Sequence, residues 1–214
     1  MKSRHPLMLI RHGEAEHHIQ SITGGWTDTD LTEKGRQQSA LLAARLRREL
    51  DGVTVCLGSS NLRRAMQTAE IIGCSLGVDL QVYPALTDLN NGAAAGKTHV
   101  QAKALAIPPS EPLLDWQPYP EAESWRQFYT RITRFMHEFS AQQEAAAILV
   151  THSATIHAII NWWLGLPVDA STHFDVDPAS ITVLKLSRWK ETSVERLNDT
   201  AHLYALGLSE PLEL

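Results

Sequence analysis

Cysteine is scarce. Cys56 and Cys74 are the only two in 214 residues, too few for a disulfide framework, so a cytoplasmic setting is expected. Long apolar runs are also missing: stretches such as Ala145–Val150 fall far short of the ~20 residues that span a bilayer, so no membrane association is expected. Pro6–Ile10 is too short for a secretory apolar region and reads as part of a strand. There is no basic excess either. Nineteen Lys and Arg stand against 24 Asp and Glu, a formal net charge of −5, which argues against a nucleic-acid partner. No internal repeat, low-complexity tract, Cys-x-x-Cys or His-Glu-x-x-His pattern occurs, so neither a metal nor a cofactor is expected. What is present is core material. At 43% hydrophobic and 20% charged residues, the chain is expected to form one domain over 1–214.

Short apolar runs alternate with amphipathic stretches. Leu7–Ile10 predicts a buried strand opening onto Arg11-His12-Gly13, and residues 13–31 read as a long loop. Thr32 then caps a helix with Leu41, Leu42, Leu46 and Leu50. Val53–Leu57 predicts a second strand. It is followed by a cap-like Ser59-Ser60-Asn61 and a helix with Leu62, Met66, Ala69 and Ile72 on one face. Leu80–Tyr83 is a weaker third strand. Residues 84–120, with five of the ten prolines between Pro108 and Pro120, read as an irregular excursion over one end of the domain, holding a short helix over Thr98–Ala106. Glu121–Gln142 predicts a helix with Trp125, Phe128, Ile132, Phe135 and Phe139 in its stripe. Ala147–Thr151 predicts a buried strand, and the helix after it ends near Gly165-Leu166-Pro167. That helix places Trp162 and Trp163 on different faces, one toward a partner. Ile181–Leu186 and Ser193–Leu197 predict the last two strands, able to pair as a hairpin.

This alternation implies an α/β fold of three layers, α/β/α, with a mostly parallel central sheet and one antiparallel strand. Ligands of such sheets bind at the carboxyl ends of the strands. Arg11-His12-Gly13, Ser59-Ser60 with Arg63-Arg64, Asp88, and Thr151-His152-Ser153 all fall at that edge. Two histidines with arginines around helix N-termini make a cationic pocket in an acidic protein, suited to a dianionic phosphate.

The segments Leu9-Ile10-Arg11-His12-Gly13-Glu14, Gly25-Trp26-Thr27-Asp28-Thr29-Asp30-Leu31-Thr32-Glu33-Lys34-Gly35, Ser59-Ser60-Asn61-Leu62-Arg63-Arg64-Ala65-Met66-Gln67-Thr68-Ala69 and Val150-Thr151-His152 resemble, in order and spacing, the histidine phosphatase superfamily of phosphoglycerate-mutase-like proteins. The resemblance covers nearly the whole chain. It implies a phosphohistidine mechanism with His12 as nucleophile, and Arg11, Arg64 and His152 holding the non-bridging oxygens. It also implies an acid after the third strand, where Asp88-Leu89-Asn90-Asn91-Gly92 fits the pattern of a carboxylate, three residues and Gly. Glu14, close to the nucleophile in sequence, is the alternative acid, and Thr23 and Gly24 are candidates to present a hydroxyl or an N–H to the phosphoryl group. Four positions depart from the family pattern: Asp88 stands where the mutase-like branch usually has Glu, His18 where the mutases carry Asn, Ser153 where Gly often follows the second His, and Ala122-Glu123-Ser124 where Gly-Glu-Ser is commoner.

A phosphomonoester hydrolase of phosphatase type is therefore expected, acting on a small phosphorylated metabolite or a phosphoprotein. The alternatives are a metal-independent phosphoglycerate-type mutase and a non-catalytic phosphate-binding relative. A mutase needs extra cations for a substrate carboxylate, yet the 89–120 segment offers only Lys97 and Lys103 and no Arg. The binding relative would lack the nucleophile or an arginine, and here all are present.

Overall fold

The computed structural model describes residues 2–170, 172–204 and 208. Six strands form one sheet: β1 (Leu7–Arg11), β2 (Val55–Ser59), β3 (Leu80–Val82), β4 (Ala146–Thr151), β5 (Ile181–Leu186) and β6 (Thr192–Asp199), in the order β3-β2-β4-β1-β5-β6. The first four in chain order run parallel to one another. β5 lies antiparallel to both β1 and β6, so it is the single reversed strand that the sequence pattern allows for.

Strand alternation places the two cores. Leu7, Leu9, Ala147 and Leu149 face one side of the sheet, against α5 (Trp125–Gln142) and α6 (Ser153–Leu164). Met8, Ile10, Ile148 and Val150 face the other, against α2 (Glu33–Glu49) and α3 (Arg63–Leu76). Because β1 and β4 are covered on both faces, they read as continuous apolar runs rather than alternating ones. Two short helices, α1 (Glu16–Ile19) and α4 (His99–Leu105), belong to the loops above the carboxyl edge.

Several boundaries follow from local chemistry. Thr32 accepts from the Gly35 N–H to open α2, and Gly165, at φ 71°, closes α6 in the left-handed conformation. The helix expected from Glu121 starts instead at Trp125, because Ser124 caps it and exchanges hydrogen bonds with Gln127. Its buried row is Phe128, Ile132, Met136 and Ser140, while Trp125, Phe135 and Phe139 pack at the margin. Trp162 and Trp163 are both inside, their indole N–H groups donating to His137 Nε2 and the Ser193 carbonyl, so neither turns toward a partner. Among the described residues, no helix is long and apolar enough to cross a membrane.

Candidate active site

The β1–β4 register pairs Arg11 with Thr151, so the next residues, His12 and His152, leave adjacent strands at one level. Their ring centroids lie 5.1 Å apart. His12 is 2% exposed, and its Nδ1 sits 2.7 Å from the Gly13 carbonyl. A carbonyl only accepts, so the ring proton is on Nδ1 and Nε2 carries a lone pair. That lone pair accepts from Arg64 Nε at 3.1 Å. Burial first, then the charges of Arg64 and Arg11, hold the His12 pKa well below its ordinary value, which keeps the ring neutral. The loop behind it is packed backbone to backbone. A Cβ at Gly13 would stand 2.5 Å from the Gly35 carbonyl, and one at Gly35 would stand 1.9 Å from the Glu14 carbonyl. No side chain fits at either position.

Arg64 and Arg63 divide as neighbours on a helix should. Arg64 is fully buried, and its Nη1 and Nη2 donate to the Thr27 and Gly25 carbonyls at 2.6 and 2.8 Å. Arg63 reaches outward to Asp30 at 2.5 Å. Ser59-Ser60-Asn61 does not cap α3. Its cap residue is Leu62, and Asp28 supplies the carboxylate, accepting the Arg63 N–H at 2.7 Å. This frees the serine cluster for the site. Ser60 Oγ, which accepts the Leu62 N–H, lies 2.7 Å from His152 Nε2. With the Ser60 proton donated to Nε2, the neutral ring carries its own on Nδ1. That atom is buried with no hydrogen-bond partner among the described residues. A buried orphan donor 3.9 Å from Asp88, which lines the cavity described below, invites an acceptor.

Asp88 is the nearest carboxylate. Its Oδ2 lies 3.6 Å from Arg64 Nη2 and 3.9 Å from His152 Nδ1, and its Oδ1 accepts the Leu89 N–H. Burial pushes its carboxyl above the ordinary range, against the opposing charge of Arg64. The loop that carries it is held from behind by Arg131 of α5. This guanidinium donates to the Ala85, Thr87 and Asp88 carbonyls and pairs with Glu123 at 2.7 Å.

Arg11 donates to the Val176 carbonyl at 2.7 Å and lies 3.2 Å from His18 Nε2. His18 Nδ1 accepts the Ala15 N–H, so a neutral ring carries its proton on Nε2, toward Arg11. Two donors then face each other, an arrangement that an oxyanion between them would relieve. His17 is buried beside them, its ring held at about 3 by burial and by the neighbouring charges.

Two candidates from the sequence fall away. Thr23 donates its hydroxyl to the Ala94 carbonyl and its N–H to the Lys97 carbonyl, so it has no donor left for a phosphoryl group. Glu14 is bound to the Thr32 hydroxyl at 2.7 Å and to Lys34 at 3.0 Å. Burial alone would raise its pKa, but these two partners hold it lowered, the wrong direction for an acid. Gly24 does stand at the site, in the wall of a cavity of about 460 Å³ lined also by Arg11, His12, His17, His18 and Asp88. The sequence brought Ser60 to the binding edge but gave it no role beyond a cap, and it passed over Arg131, hidden in an ordinary helix. Of the cavity histidines beyond His12, His17 and His18 stand out in the sequence as an adjacent pair, and His18 also as a departure from the family pattern.

An α/β sheet whose carboxyl edge gathers donors around a neutral imidazole is the architecture of an oxyanion-binding protein. The chain belongs to the histidine phosphatase superfamily (branch 1), whose sequence profile matches residues 7–200. It is 30% identical over 203 residues to a Hydrogenobacter thermophilus protein provisionally named phosphoserine phosphatase 2, covering 92% of this chain and 96% of that one. It is also 30% identical over 217 residues to a Shigella boydii protein provisionally named phosphoglycerate mutase, covering 94% and 96%. Among solved structures, a mycobacterial glucosyl-3-phosphoglycerate phosphatase in complex with VO3 superposes with a TM-score of 0.76 at 26% identity, over 91% of this chain and 99% of that one.

Proposed function

We propose that this protein is a phosphomonoester hydrolase that works through a phosphohistidine on His12. The observation that carries the proposal is the Nδ1–Gly13 carbonyl bond, which leaves the His12 Nε2 lone pair on the same side as Arg64. In the first step Nε2 attacks phosphorus and the P–O ester bond breaks, while the protonated Asp88 gives its proton to the departing alcohol oxygen. In the second, the Asp88 carboxylate takes a proton from water. The resulting nucleophile attacks phosphorus, the P–N bond breaks, and inorganic phosphate leaves with His12 neutral again. Arg11, Arg64 and the His152 Nδ1–H hold the three non-bridging oxygens, where charge spreads in the transition state.

The whole chain acts as one domain in this reading, with residues 84–120 as the substrate-side wall and a small phosphorylated metabolite or a phosphoprotein as substrate. Free, exposed Cys56 and Cys74 support a cytoplasmic enzyme. The test is turnover of p-nitrophenyl phosphate with a chelator present, in the wild type and in His12→Ala, together with trapping of an acid-labile phosphoprotein. Loss of both turnover and label in the variant is expected. Undiminished turnover in His12→Ala overturns the mechanism. An inert wild type overturns the hydrolase reading, and a phosphoglycerate interconversion assay then separates a mutase from a binding protein.

A further inference from the structure

Beyond the phosphoryl cavity, and sharing Gly24, Gly25, Asp88, His99 and Ser153 with it, lies a second cavity of about 390 Å³. It is where the alcohol side of an ester would sit. Leu89, Pro118 and Tyr119 give it half-buried flat or apolar walls, while Asn90 and Ser153 add polar groups. Its charge is one-sided. Among the described residues no Lys or Arg lines it, and His99 is the one side chain in its wall able to become positive. Lys97 and Lys103 are exposed and outside the lining. The nearby Arg131 is already committed to Glu123 and to three carbonyls. Asp88, protonated in the reading above, stands at the junction of the two cavities and supplies no positive charge. The positive N-terminus of α6, at Ser153, sits at the same junction and serves the dianion.

From this we infer that the leaving alcohol is an uncharged, ring-bearing polyol, a sugar or a nucleoside, and not a carboxylated one. The inference rests on the hydrolase reading above and adds its substrate class. A carboxylate in the outer cavity would lose water and find no fixed cation to replace it. A furanose or pyranose would lay its apolar face on Tyr119 and Pro118, with its hydroxyls toward Asn90 and Ser153.

Esters matched except for one carboxylate test it: glucose 1-phosphate against glucuronic acid 1-phosphate, both pyranoses, and glycerol 3-phosphate against 3-phosphoglycerate, with ribose 5-phosphate and uridine 5′-monophosphate as the two ring sources. The uncharged member of each pair is expected to lead in kcat/KM by at least about tenfold. Glucose 1-phosphate should also outrun glycerol 3-phosphate. Tyr119→Arg, which places a cation in the wall, should shrink the gap within each pair. Equal rates, or a lead for the carboxylated members, overturn the inference while leaving the hydrolase intact. So does a lead of the carboxylated members that vanishes in His99→Gln, which would make His99 a carboxylate receptor. If every ester including p-nitrophenyl phosphate is inert, the hydrolase reading itself has failed.

Discussion

At His12 the direction of the pH dependence is set by burial. In the proposed mechanism the attacking ring must be neutral, and its pKa lies well below 6.5. After correction for the ester's own ionisation, kcat/KM should therefore stay level as pH falls through 6.5 and decline only at more acidic values. A decline centred at 6.5 or higher, in a pH–rate profile, would contradict the environment described for the ring. Asp88 carries the opposite sign, since its proton is needed and its pKa is raised. Asp88→Asn should slow alkyl esters by roughly 10²–10⁴. It should cost p-nitrophenyl phosphate, whose leaving group needs little protonation, less than about tenfold. A comparison of the two substrate types with one preparation checks this. Ser60→Ala should lower kcat by about tenfold, the worth of one buried hydrogen bond of about 1.5 kcal/mol. KM should change little, because the loss is in orienting His152 rather than in shaping the cavity.

At this scale the sequence was readable where a residue's role comes with its neighbours in the chain. Arg11-His12-Gly13 and Thr151-His152 end strands, and Arg64 opens a helix, so strand-end and helix-start logic places them at one edge. Ser60 and Arg131 act across the fold, on residues 92 and 43 to 46 positions away; the strand end brings Ser60 to the edge without showing that it serves His152, and nothing local marks Arg131. Thr23 misled because its neighbourhood was right while its hydrogens were already spent on the 94–97 turn.

Among the elements, α3 shows why caps are hard to assign from local composition. A serine-rich cluster precedes it, yet its cap comes from Asp28, 35 residues earlier. The strands β1 and β4 were legible because burial on both faces leaves uninterrupted apolar runs. In the 84–120 segment the short helix over Thr98–Ala106 was legible and is α4, capped by Thr98, but the path of the rest was not, since it depends on loop hydrogen bonds such as Thr23 N–H to Lys97 and Asn91 Nδ2 to Gly24. Two substitutions probe elements rather than atoms. Arg131→Met releases the Asp88 loop from α5: the Ala85 carbonyl loses its donor, Glu123 loses its ion pair, and the Thr87 and Asp88 carbonyls are left with Thr155 Oγ1 and Trp26 Nε1 alone. A loss of about 2–4 kcal/mol is expected, read by urea unfolding, with alkyl-ester turnover falling more than p-nitrophenyl phosphate turnover. Gly35→Ala pushes α2 off the Glu14 backbone. It should lower both Tm and kcat, because the displaced loop carries the nucleophile.

For the molecule as a whole, the buried neutral histidines make stability fall with acid. His12 and His152 both have folded pKa values well below the ordinary 6.5. Below that pH the unfolded rings take up protons that the native ones refuse, and each removes about 1.4 kcal/mol per pH unit. Stability from these rings is complete above pH 6.5 and drains away as the pH drops below it. Urea midpoints measured from pH 7.5 to 5 should show this slope, and the His152→Gln variant should show less of it.

The contact between Arg64 and the attacking nitrogen has one more consequence. At rest, the electron pair that forms the new bond in the proposed mechanism is already occupied by a guanidinium hydrogen. Stray electrophiles meet a latched weapon. An arriving oxyanion offers that hydrogen a better acceptor, and in accepting it releases the catch, so the pocket becomes reactive at the moment its cargo is in place.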